Sequence, residues 1–149
     1  MGMSASSYIC FGIDLGMDEP EFLEPFEGEW DKFVANLCGT PPPTGPYESN
    51  ATYKKEHQAY WETCRKLEQE YPLDLIRYSS SDDPMFFLGV RFKKEYLGAA
   101  AVNGDWEGPT TFDPAALVVM DDQLTAFTEF CKKHGIEGEP KWTLLSYWS

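Results

Sequence analysis

The chain has 149 residues, 42% of them hydrophobic and 15% aromatic, and a formal net charge of −13. That length is enough for one hydrophobic core and predicts a single domain over residues 1–149, with residues 1–7 flexible. So negative a charge disfavours direct binding to nucleic acid or to an anionic membrane, which needs clustered Lys and Arg, and it speeds encounter with a basic partner.

In chain order, the first element is a strand in "SYICFGIDLG", where Ile9, Phe11, Ile13 and Leu15 alternate with Tyr8, Cys10, Gly12 and Asp14. The period of two predicts Ile9, Phe11, Ile13 and Leu15 buried and Asp14 on the opposite face. The acidic stretch that follows is broken by Pro20 and Pro25, then carries Trp30, Phe33, Val34 and Leu37 at helical spacing. A short helix from about Glu27 to Cys38 is expected, ending at Gly39. "TPPPTGP" (40–46) cannot continue a helix or enter a sheet and reads as a loop. From Asn50 to Tyr71 one stripe holds Tyr53, His57, Tyr60, Trp61, Cys64, Leu67 and Tyr71, which predicts a long amphipathic helix that Pro72 ends.

Two strands over about 73–78 and 85–92, joined by a Ser, Asp and Pro loop, form a hairpin in which Phe86, Leu88, Val90 and Phe92 share a face. Gly89 marks a bulge or close packing. Propensity does not decide between strand and helix for "EYLGAAAV" (residues 95–102), and "NGDWEGPTTFDP" reads as a loop. Asp121 or Asp122 is expected to cap a helix with Leu124, Phe127 and Cys131 on its apolar side, Lys132, Lys133 and His134 in its last turn and Gly135 after it. "KWTLLSYW" closes the sheet, with either Trp142, Leu144 and Trp148 or Thr143, Leu145 and Tyr147 inward. The expected fold is α+β, an antiparallel or mixed sheet of about four to five strands with about three helices mainly on one face.

"FGIDLGM" (11–17) resembles the first phosphate loop of the actin, sugar-kinase and chaperone ATPases. Its context excludes that role: Met17, Asp18, Glu19 and Pro20 replace the small hydroxyl residues that cradle phosphate, and two lobes of nucleotide-binding chain are missing. Four cysteines, Cys10, Cys38, Cys64 and Cys131, lack CxxC spacing, and "MGMSASS" carries neither a basic residue nor an apolar run, so the cytoplasm is expected. No metal and no cofactor is expected. Cys131 and His134, three apart on one helix, form the minimal thiol and base pair, although a core Cys beside a helix-terminal His explains both. Asp82–Asp83 and Asp121–Asp122 read as turn formers and caps. A small-ligand or enzymatic alternative places His57, Tyr60, Asp105 and Trp106 around one pocket. Separately, Trp106 flanked by Asp105 and Glu107 in a Gly-rich loop is a candidate for stacking a sugar ring, the two acids supplying acid and base.

Residues 1–31 hold eight acids and no Lys or Arg. Asp18, Glu19, Glu21, Glu24, Glu27, Glu29, Trp30 and Asp31 combine steering charge with an aromatic anchor, as an acidic inhibitor does against a basic protein surface. A solvated face with its apolar residues packed inward explains the same pattern.

The stretches "FFLGVRF" and "FTEFCKKHGIEGEPKWTLLSYWS" are similar to small phage and prophage proteins with an FCxxHGI stretch and an aromatic Trp, Ser, Tyr, Trp ending. The resemblance is good over the last third of the chain and elsewhere extends only to layout. It brings no catalytic residue. It implies an accessory role in the cytoplasm of a bacterial host, inhibition of a host nuclease or defence system included. The leading expectation is therefore a non-enzymatic acidic binding protein, with an enzyme or small-ligand protein, or a self-assembling phage component, as alternatives. The sequence leaves the oligomeric state open.

Overall fold

A computed structural model describes residues 4–40, 51–92, 98–105 and 108–148; the proline-rich loop beyond Thr40, the start of "EYLGAAAV", Trp106 and Glu107 lie outside them. The elements are β1 (Ala5–Gly16), α1 (Trp30–Leu37), α2 (Ala51–Glu70), β2 (Leu73–Ser80), β3 (Pro84–Val90), β4 (Ala100–Asp105), α3 (Asp121–His134) and β5 (Lys141–Trp148), with 3-10 turns at Glu21–Phe26 and Pro114–Ala116. The fold is α+β, as expected. Contacts divide it into two compact units: Met1–Pro20 with Pro72–Ser149, and Glu21–Tyr71.

The first unit holds a mixed sheet in the order β3-β2-β5-β1-β4. One edge of β1 pairs antiparallel with β5 along Ala5–Gly12. The other edge is shared end to end by β4, opposite Ser6–Cys10, and β3, opposite Gly12–Gly16. β2 pairs antiparallel with β3 and meets β5 in parallel at Ser79 and Ser80, so β1, β3, β2 and β5 close a ring. Pairing from Ala5 onward places residues 5–7, expected to be flexible, inside the sheet.

Gly12 makes the closure at β3 possible. A Cβ there would sit 1.9 Å from the Leu88 carbonyl oxygen, a backbone atom with no room to retreat. Its partner across the strands is Gly89, whose own Cβ would lie 2.8 Å from that of Ala99. The glycine in "FGIDLG" thus permits a close strand approach.

Inside the ring, Cys10, Ile76, Phe87, Ala99, Ala100 and Leu145 form the core, flanked by Tyr8 and Tyr78. This reverses the expected polarity of β1. Cys10 and Gly12 are buried while Ile9, Phe11, Ile13 and Leu15 are half-buried on the outer face. A narrow ring already filled by Phe87 and two tyrosines selects small residues on its central strand, so size overrides hydrophobicity in choosing the face. On β5 the second alternative holds: Leu145 is buried, and Trp142, Leu144 and Trp148 point outward.

β3 is covered on both faces, with Phe86 through Val90 all buried. Phe87 faces the ring, and α3 packs against β3. α3 buries Phe127, Phe130 and Cys131 and stops at Gly135, whose φ of 66° suits a residue without Cβ. Its N-cap position is Met120 rather than either aspartate; the Met120 N–H donates to the Gln123 side chain at 2.9 Å. β4 runs through Asn103, Gly104 and Asp105, residues expected to be a loop, because ladder pairing with β1 outweighs their turn propensity.

In the second unit, α1 starts at Trp30 rather than Glu27. Glu27 and Gly28 have φ of 56° and 77°, left-handed values that cannot open a helix. Trp30, Phe33, Val34 and Ala35 are buried, Leu37 is exposed, and on α2 Tyr60 and Cys64 pack with Ala35, Trp61 and Leu67.

Candidate functional site

The acidic segment begins where β1 ends. Asp18 and Glu19 are exposed in the bend leaving that strand, and Glu21, Glu24 and Glu27 are exposed on and just after the Glu21–Phe26 turn. The turn is built to present them. Leu23 is fully buried, and Phe22 and Phe26 stack on Phe33 with ring centroids 4.9 and 5.7 Å away, so the apolar residues point inward and the acids outward. Among the described residues, no cation lies within ion-pair distance of Asp18, Glu19, Glu21 or Glu24.

Further along, the charge is partly neutralised. Lys32 pairs with Glu29 and, at 3.4 Å, with Glu27, and the Glu29 carboxylate holds its ammonium above the usual lysine range. Asp31 accepts from the Lys32 backbone N–H at 2.8 Å. Trp30 is 6% exposed and stacks among Phe22, Phe33 and Tyr71, so it serves the core of its unit and leaves the acids as the surface the segment offers.

Of the alternative pocket residues, His57 and Tyr60 are in the second unit and Asp105 ends β4 in the first, opposite Ser6. His57 Nε2 accepts from the Trp61 indole one turn on, and Lys32 sits over the Trp61 ring at 5.7 Å. Tyr60 is buried, and burial followed by its hydrogen bond with Cys64 pushes its hydroxyl pKa far above the ordinary value.

Sequence reasoning missed a groove of about 280 Å³ on the outer face of the first unit's sheet. Ile9, Val102, Gly104, Thr110, Phe112 and Leu144 line it, and among the described residues no ionisable side chain is on its walls. Leaving the inward face of β5 undecided concealed it, since only an outward Leu144 builds that wall.

The nucleophile candidates point away from catalysis. Burial pushes the Cys131 thiol up to about 11 and lowers the His134 imidazole, whereas an activated pair needs a depressed thiol. His134 stacks on Phe130 at 4.4 Å. Asp14 accepts from the Tyr78 hydroxyl and the Gly16 backbone N–H, and the Asp83 N–H donates to Ser80 Oγ at 3.1 Å in the hairpin turn. Among the described residues, no three His, Cys, Asp or Glu are grouped to hold a metal ion, and no helix is long and apolar enough to cross a membrane. No protein-family model, curated protein or solved structure matches this chain.

Proposed function

We propose that the chain is a non-enzymatic binding protein that docks on a basic surface of another protein through residues 18–27, and that it acts as a phage accessory factor against a host nuclease or defence protein. The observation that carries this reading is the exposed carboxylates of Glu21 and Glu24 on the turn of the second unit, preceded in the chain by those of Asp18 and Glu19; among the described residues none of the four has a cation within ion-pair distance, in a chain of net charge −13. Their repulsion opposes folding and is relieved when a basic surface meets them, while the field they produce speeds association by about 10–1,000-fold at low salt. The aromatic residues between them hold the turn in shape, which lowers the ordering cost of binding.

The test is capture of the tagged chain's partners from bacterial lysate at low and high salt, followed by Glu19→Lys, Glu21→Lys and Glu24→Lys in one variant against the captured protein. A basic partner released by salt, with association slowed about tenfold or more in the variant, is the expected result. Unchanged association would sink the acidic-surface mechanism.

A further inference from the structure

α3 packs against β3, but the outer face of β4, β1 and β5 and the segment after β4 that lines the groove keep Leu144 69%, Trp148 52%, Phe112 42% and Trp142 39% exposed. Register places the β5 row Trp142, Leu144, Ser146 and Trp148 beside the β1 row Phe11, Ile9, Ser7 and Ala5. Neither row contains an ionisable side chain, in a protein with 25 acids and 12 Lys and Arg.

We infer that this face is where two copies of the chain meet, as a two-fold dimer in which Trp148 of each copy enters the groove beside Leu144 of the other. Charge selects the occupant. Among the described residues a basic partner finds no carboxylate here to pair with, whereas two copies at −13 each can approach only where their charge is absent. Shape agrees with symmetry. An isologous contact needs a projection and a recess on the same patch, and Trp148 projects four residues along the strand from the Leu144 wall of the groove.

Area sets the strength. Aromatic side chains each bring about 150–250 Å² when fully buried, so the exposed portions of these four residues supply on the order of 400 Å² per protomer, about half of a standard interface. The dimer is therefore weak and reversible. Its salt dependence is opposite to that of the acidic segment: screening the repulsion tightens the dimer, while it loosens a complex held by the carboxylates.

Sedimentation equilibrium from about 1 μM to 1 mM, at low and at high salt, reads this directly. The expected result is a monomer–dimer equilibrium that strengthens with salt, and a dissociation constant raised about tenfold or more by Leu144→Asp. Trp148→Ser is the second variant, and circular dichroism verifies that each folds. A monomer across the whole range at high salt would overturn the inference, as would a folded variant that dimerises like the parent. A monomer that nevertheless binds an apolar reporter dye on this face would also overturn it, and would assign the face to a different occupant.

Discussion

The Tyr78 hydroxyl donates to the Asp14 carboxylate at 2.7 Å, joining β2 to β1 across 64 positions of sequence. Asp14 also accepts from the Gly16 backbone N–H at 3.0 Å, where the pairing of β1 with β3 shifts register. Burial, followed by the Asp14 carboxylate, raises the tyrosine's pKa, so the phenol stays a donor throughout the working pH range. The residue that gives "FGIDLGM" its likeness to a phosphate loop ties two strands together. Asp14→Ala and Tyr78→Phe are each expected to cost about 1 kcal/mol in urea unfolding, with a double-mutant cycle showing that they share one interaction. Additive costs would mean the contact contributes nothing.

Gly12 offers a sharper test. Gly12→Ala drives a methyl into the Leu88 carbonyl and is expected to destabilise the chain by about 3 kcal/mol or more, since backbone must move on both strands. Gly108→Ala is the control. Among the described residues a Cβ there meets nothing within 4 Å, so its unfolding midpoint should stay near that of the parent.

Two groups give stability opposite pH slopes. The Asp74 carboxyl is raised above its ordinary value near 3.8, because burial outweighs the Arg91 guanidinium 3.4 Å away and the N–H groups of Leu75 and Ala99. Its contribution is therefore complete below that ordinary value and is lost as pH rises through the raised one. His134 is lowered from 6.5 by burial and then by Lys133, so its contribution is present above 6.5 and lost as pH falls through the lowered value. Urea midpoints across this range should lose the acid-side slope in Asp74→Asn and the near-neutral slope in His134→Asn. Parallel curves for parent and variants would refute both assignments.

Thiol accessibility follows from burial. Cys38 is exposed, whereas Cys10, Cys64 and Cys131 are buried, with Cys10 pushed up to about 12 by burial and then by the charge of Asp74. Alkylation of the native chain should therefore modify Cys38 quickly and the other three only after unfolding, with mass spectrometry locating the adducts. Fast modification of Cys131 would revive the nucleophile reading.

What the sequence disclosed depended on whether a residue's task was local. α2 and the end of α3 at Gly135 follow from spacing and punctuation within a few residues, and both are where the pattern places them. The inner face of β1 was illegible because Cys10 and Gly12 are chosen by the width of a ring that β1 closes with three strands distant in sequence. Trp30 looks like an anchor beside acids, and only the packing of Phe22, Phe33 and Tyr71 around it reveals a core role. The acidic segment was visible because charge is a property of composition. The apolar groove was not, because its walls come from three strands and the segment after β4.

The register of β1 has a bearing on the order in which the chain acquires structure. Ala5 pairs with Trp148 and Ser6 with Asp105, so β1 has to wait for strands made well after it. Residues 21–71 need no such delay, since their helices meet within one continuous stretch. On the ribosome, that helical stretch can assemble early while β1 remains unpaired, and an unpaired strand containing "YICFGI" is an aggregation hazard until β5 emerges.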